Sequence, residues 1–248
     1  MEQALLEQQF VLHFQAQVDH ENRIQGAEVL LRWQHPDRGL ISPAEFISLA
    51  EETGQIVPIG LWALEFSCNQ LKVWEVDPRT QHLQLAVNVS ARQFRQADFI
   101  EQVVQVLYRT RINPSRLKLE LTESLVMDNL ADTIAKMQAL KDIGVQFSMD
   151  DFGTGYSSLS SLKKLPLDQL KIDQSFVRDI IHDPENTIIV QTIIAMAHSL
   201  GMDVIAEGVE TEQQRDFLAS HDCLYFQGYL FGKPMPLEDF EKRLMSNG

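Results

Sequence analysis

Eight strand-like stretches alternate with helix-like ones along 248 residues. The strand candidates are FVLHFQAQV (10–18), RIQGAEVLLRW (23–33), LQLAVNVS (83–90), LKLELTE (117–123), VQFSMD (145–150), QLKID (169–173), DVIAEGV (203–209) and CLYFQGY (223–229). Helical periodicity fills most of the gaps. The first helix opens at Ser42-Pro43 and stops at Gly54, and others cover 59–74, 98–110, 130–144, 184–201 and 210–221. Ser42 followed three residues later by Glu45 predicts a capping box on the first helix. Strand–helix alternation over this length predicts an α/β chain with a parallel-rich sheet closed into a (β/α)8 barrel. The competing arrangement is an open doubly wound sheet. No GxGxxG follows any strand, which removes the best support for a dinucleotide-binding version of it.

The parity of the strands says more. Central parallel strands are normally apolar throughout, because helices cover both faces of the sheet. Here Leu117, Leu119 and Leu121 alternate with Lys118, Glu120 and Thr122, and Val145, Phe147 and Met149 with Gln146, Ser148 and Asp150. In QLKID, Leu170 and Ile172 alternate with Gln169, Lys171 and Asp173. One face meets helices; the other carries acids, amides and a lysine. Asn88, Glu120, Asp150, Lys171, Glu207 and Gln227 fall near the C-terminal ends of their strands, with Glu28 earlier in its own. Barrel enzymes build their sites on that rim. Carboxylates so crowded are costly unless paired or bound to metal. Hard oxygen ligands of this kind suit Mg²⁺ or Mn²⁺. The adjacent Asp150 and Asp151 can reach two neighbouring ions, with Asp150 bridging them.

Charge narrows the partners. A net charge of −14 and a pI near 4.9 exclude the basic surface that a DNA or RNA polymer needs. An acidic protein still binds a phosphate compound when metal ions stand between the two. The two cysteines, Cys68 and Cys223, make no CxxC, so the expected setting is a reducing compartment, the cytoplasm. The longest apolar stretch, IVPIGLWALEF (56–66), is too short to span a bilayer. The abrupt start reads as a single domain, residues 1–248, taken from a longer signalling protein whose full-length form can be membrane-anchored. Trp33, Trp62 and Trp74 follow the apolar pattern and are expected in the core. The DFG at 151–153 lacks the other kinase motifs. His182-Asp183 and His221-Asp222 sit at polar helix ends, where caps or turns explain them better than an HD-type phosphohydrolase.

EVLLRW (28–33), NVS (88–90), ELTES (120–124), MDDFGTGYSSLSSL (149–162), LKID (170–173), AEGVET (206–211) and QGYLFGKPMP (227–236) together resemble the EAL-domain family of cyclic di-GMP phosphodiesterases. The resemblance covers essentially the whole chain. It implies a modified (β/α)8 TIM-type barrel with one antiparallel strand. It also implies metal-dependent hydrolysis of one phosphodiester bond of cyclic di-GMP to linear pGpG, by in-line water attack at two metals. The implied metal ligands are Glu28, Asn88, Glu120, Asp150 and Asp151, holding two Mg²⁺ or Mn²⁺, with Ca²⁺ inhibitory. Lys171 matches a lysine beside the nucleophilic water, and Glu207 a general base or ligand to the second ion. Glu123 matches an anchor of the DDFGTG loop, and Gln227 a residue bonded to the water or phosphate. Gln15, Leu31, Arg32, Asp173 and Glu210 match positions that hold substrate or order the site. The family also implies a homodimer through residues 151–163 and an upstream sensory or GGDEF domain. One departure stands out: the signature tripeptide is Glu-Val-Leu, not Glu-Ala-Leu. Strand parity turns Val29 outward, away from the chemistry. The alternative is a catalytically silent receptor for cyclic di-GMP. Receptors of this family tend to lose metal ligands or the DDFGTG loop, and both are present here.

Overall fold

The computed structural model describes residues 1–153 and 159–246. Its centre is a closed mixed barrel of eight strands: β1 Phe10–Asp19, β2 Ile24–His35, β3 Gln84–Asn88, β4 Leu117–Thr122, β5 Gln146–Phe152, β6 Gln169–Ile172, β7 Asp203–Ala206 and β8 Tyr225–Gln227. From β2 to β8 each strand pairs in parallel with the next. β1 closes the barrel by running antiparallel to both β2 and β8. The closed option therefore holds over the open doubly wound sheet. Two short strands lie outside the predicted set, Gly39–Ile41 against β2 and Met235–Pro236 against β1.

The helices lie outside the barrel: α1 Pro43–Thr53, α2 Ile56–Trp74, α3 Phe99–Thr110, α4 Leu130–Lys141, α5 Pro184–Ser199, α6 Glu212–Ser220 and α7 Leu237–Ser246. Shorter helical turns at Ala91–Phe94, Glu123–Asp128 and Gln174–Arg178 follow β3, β4 and β6. α7 has no counterpart in the sequence reading. It packs Phe240 between Phe14 and Trp74, with centroid separations of 5.9 Å to each ring. Trp74 is buried as expected, but Trp33 and Trp62 are only half-buried. No helix among the described residues is long and apolar enough to cross a membrane.

The capping expectations divide. Ser42 is the extended N-cap of α1 and Gly54 its left-handed C-cap, at φ +80°. The predicted capping box is absent, since Ser42 makes no side-chain cap hydrogen bond and Glu45 pairs instead with Arg38 at 2.7 Å. A complete box forms elsewhere, at Thr211 and Gln214 of α6. Asp183 caps α5 by accepting from the Glu185 amide at 2.9 Å, and His221 ends α6. Both His-Asp pairs are thus helix termini.

Parity holds along the barrel. Outward residues such as Leu85, Leu117, Leu119, Phe147, Leu170 and Val204 are buried against the helices. Inward residues form polar layers in place of the branched apolar layers usual in such barrels. Gln17, Gln84, Lys118, Gln146, Gln169 and Tyr225 ring the N-terminal end, while Glu28, Glu120 and Lys171 sit above them. Gly26 is required where β2 meets β3, because a Cβ there would lie 2.3 Å from the Gln84 carbonyl oxygen.

Candidate active site

Lys171, on the inner face of β6, is completely buried and is the hub of the C-terminal rim. Its ammonium lies 2.7 Å from Glu207, 2.8 Å from Glu120, 3.1 Å from Asp150 and 3.6 Å from Glu28. These carboxylates come from four different strands, three from near or just past the C-terminal ends and Glu28 from within β2. Each is inward-facing by the alternation read in the sequence. One ammonium cannot neutralise four ionised carboxylates, so the cluster has to take up protons or cations.

The site's proton affinities follow from that imbalance. Burial pushes Glu120 well above the usual carboxylate range, and Glu28 and Asp150 add to the effect against the pull of Lys171. Burial also raises Glu207, opposed by Lys171 and reinforced by Asp150 and Glu28, to about 8. Burial would lift Glu28 too. There Lys171 and the hydrogen bonds from Gln227 and Asn88 prevail and hold it below its ordinary value. Burial alone would lower Lys171, but Glu120, Glu207, Glu28 and Asp150 keep it well above the ordinary lysine value.

Asp151 joins the cluster through a break in the strand. In a regular strand Asp150 and Asp151 would point to opposite faces. The β5–β6 register shifts between Met149 and Phe152, and Asp151 takes a left-handed backbone at φ +54°. A bulge re-aims a side chain in this way, and Asp tolerates the left-handed region better than most residues. Asp151 is raised by burial and by the charges of Asp150 and Asp173.

The donor set fits divalent cations. Oxygens of Glu28, Glu120 and Asp150 lie within 4.8 Å of one another, as do those of Asp150, Asp151 and Glu207. The two groups share Asp150. Glu120 Oε1 is buried without a hydrogen-bond partner, a costly state for a carboxylate oxygen that a cation would relieve. Asn88 stands opposite Glu120 in the β3–β4 register and donates to Glu28 Oε1 at 2.6 Å, which leaves its carbonyl oxygen for a ligand.

The remaining expected residues take varied places. Gln227 donates to Glu28 Oε2 at 2.5 Å and to Gln15 Oε1 at 3.1 Å, and accepts from Gln17 at 2.9 Å. Its amide is thus directed at a carboxylate of the cluster. Gln15 reaches the Gly232 carbonyl at 3.3 Å. Buried Glu123 accepts from the Gly153 amide at 3.3 Å, which ties down the end of β5. Asp173 caps the turn Gln174–Arg178 through the Ser175 amide at 2.9 Å. Arg32 is half-buried and donates to the Leu31 carbonyl at 2.8 Å.

A pocket of about 320 Å³ opens beside the acids, lined by Gln15, Glu28, Leu30, Glu207, Glu210 and Tyr229 among others. Leu31, expected as a substrate contact, is not among them. Its side chain lies on the other face of β2, in an apolar pocket with Val29, Ile47 and Ile59. The residue on the site's face is Leu30, which parity with Glu28 and Arg32 could have supplied. Tyr229 and Gln174 were also missed; no periodicity marks them, since both lie in connections after strands.

Comparison with known proteins agrees with this architecture. The family model described as EAL domain matches residues 1–234. The chain is 45% identical over 239 residues to MucR of Pseudomonas aeruginosa, a bifunctional diguanylate cyclase/cyclic di-GMP phosphodiesterase, covering 96% of this chain and 35% of that protein. It is 40% identical over 242 residues to the cyclic di-GMP phosphodiesterase PdeR of Escherichia coli, covering 98% of this chain and 36% of that protein. It therefore spans about a third of the length of these relatives. Among solved structures, the MucR phosphodiesterase in complex with cyclic di-GMP superposes with a TM-score of 0.93 at 44% identity, covering 96% of this chain and 97% of that one. The FimX EAL domain from Pseudomonas aeruginosa bound to cyclic di-GMP gives 0.85 at 27% identity, covering 94% of each chain. With its barrel and nearly its whole length matched, the chain belongs to the EAL domain family.

Proposed function

We propose that this chain is a metal-dependent phosphodiesterase that hydrolyses cyclic di-GMP to linear pGpG. The observation that carries the reading is the pair of acid groups sharing Asp150, with Glu120 Oε1 of the first buried and unpartnered. Glu28, Asn88, Glu120 and Asp150 would hold one divalent cation, and Asp150, Asp151 and Glu207 a second. When bound, two such ions lower the pKa of a water and neutralise phosphate oxygens in line with it. Lys171 presents a fixed positive charge at the floor of the site, where charge develops on the reacting phosphate. Glu207 is at the rim, 2.7 Å from Lys171, as a ligand to the second ion or else as the base that takes the proton the attacking water gives up. Gln227 and Asn88 orient Glu28 from its two oxygens. Arg32, Leu30 and Glu210 flank the pocket that would receive the nucleotide.

Similarity to MucR and PdeR, both named for this activity, supports the substrate. The test is to incubate purified protein with cyclic di-GMP, with Mg²⁺, Mn²⁺, Ca²⁺ or excess EDTA, and resolve the products. Hydrolysis to pGpG with Mg²⁺ or Mn²⁺, and none with Ca²⁺ or EDTA, is expected. Tight binding without turnover under any metal would make the domain a receptor instead.

The same reading extends to assembly and setting. The domain acts within a longer protein, behind a sensory or GGDEF domain, and works in the cytoplasm, where Cys68 and Cys223 stay as free buried thiols. It pairs with a second copy next to residues 151–163, of which 154–158 lie outside the described residues. Exposed Leu159 offers apolar surface within that stretch. Gly153 packs against Phe176 and Ile193, which would link the contact to the acidic strand. A monomer by light scattering, at a concentration giving full turnover, would remove this link.

A further inference from the structure

The N-terminal end of the barrel holds a second polar cavity, at the opposite end of the barrel from the acidic rim. Its volume is about 210 Å³, and Gln84, Lys118, Gln146, Gln169, Asp203 and Tyr225 line it. That is room for several waters, or for one molecule smaller than a drug-sized ligand. Structural barrels fill this layer with branched apolar side chains. Here the layer is amides around a lysine.

Lys118 is the informative residue. It is 6% exposed, and its ammonium donates to Gln169 Oε1 at 2.9 Å. An ammonium carries three donors. Among the described residues no carboxylate forms an ion pair with it, although buried lysines are normally paired. Two of the acids whose charge it feels, Asp168 and Asp203, also line the cavity, but neither forms an ion pair with its ammonium. Glu120 is bound to Lys171, and Asp168 is held by Lys141 and by the Phe147 amide at 2.8 Å. Asp203 is exposed at the cavity's mouth. The cavity therefore has a cation at its floor, neutral amides along its walls and carboxylates at its entrance. A simple anion would have to pass those carboxylates on a protein of net charge −14. A simple cation would meet Lys118.

We propose that this cavity binds a free α-amino acid, with its carboxylate on Lys118 and its ammonium at Asp203. The glutamine amides supply hydrogen bonds for the rest. The occupant lies on the same inner face of β4 as Glu120, two residues or about 6.6–6.8 Å below it. It thus touches the strand that carries an acid of the C-terminal rim. The inference does not depend on the reaction proposed above.

The test is a thermal-melt series of the whole chain with each of the standard amino acids at about 10 mM. At least one is expected to raise the melting temperature by about 2 °C or more. Its N-acetyl derivative and its decarboxylated amine are expected to give no shift. Lys118→Met and Asp203→Asn, each with its own cooperative melt, are expected to lose the shift. Asp203→Asn alters an exposed side chain, so it keeps the test available should Lys118→Met fail to fold. No shift with any amino acid would overturn the proposal and leave a hydrated cavity. So would a shift retained in either variant, or an equal shift from the derivatives.

Discussion

Asp150 lies in both acid groups, so its loss should be felt at both. Asp150→Asn is expected to lower kcat for cyclic di-GMP at least a hundredfold, ~2.7 kcal/mol. The melting temperature of the EDTA-treated protein should hold or rise, because one of four carboxylates around a single lysine is gone. Steady-state hydrolysis and a melt of the same preparation check both halves. The raised acids give a pH signature. Glu120 and Glu207 have folded-state pKa values above the unfolded ones, so their contribution to folding is complete below the unfolded value. It is lost as pH rises through the folded values, about 8 for Glu207. Cations compete with those same protons. The rise in melting temperature given by Mg²⁺ is therefore expected to be larger at pH 8 than at pH 6, and half-saturation to need less Mg²⁺. A flat profile would contradict the assignment. On β2, Leu30→Ala should raise KM about tenfold, ~1.4 kcal/mol, whereas Leu31→Ala and Val29→Ala should keep kcat/KM within about threefold. Val29→Ala should cost stability of about 1–2 kcal/mol, since its side chain is buried against α2.

At the scale of elements, the barrel strands position the acids and the connections tune them. β4 ends in Thr122, and the next residue, Glu123, opens the following turn and reaches across to the Gly153 amide. Glu123→Ala is expected to lower kcat with KM changed less than about threefold, because it loosens the strand bearing Asp150 and Asp151 without touching the pocket. Gly54 tests a connection remote from the chemistry. Its φ of +80° disfavours any side chain, and a Cβ would meet Arg92 at 3.0 Å. Gly54→Ala should destabilise by about 1 kcal/mol, a drop of roughly 2–4 °C, with kcat/KM unchanged. The eight strands and six of the outer helices were legible because each keeps one period over many residues. The short strands Gly39–Ile41 and Met235–Pro236 were not, being too brief to show one. The capping box at Ser42 failed because Arg38, which only the fold brings near, takes Glu45.

At the scale of the whole molecule, strand parity already separated an apolar outer face from a polar inner one. Seven motifs in order already named the family. Alternation is local: it follows from the two-residue pleat and survives any arrangement of neighbours. What each inner residue meets is not local. That Lys171 binds Glu207, Glu120, Asp150 and Glu28 depends on four strands closing at one height, which the stagger of the barrel sets. The direction of Asp151 depends on a bulge and a left-handed backbone that pleat counting cannot contain. Gln227 turns to Glu28 because β1 closes the barrel between β2 and β8 and brings their ends together. The sequence by itself determined the closed α/β layout, the anionic inner rim and the family. Tertiary structure alone decided which acids group around Asp150 and Lys171, because those are contacts between strands far apart in the chain.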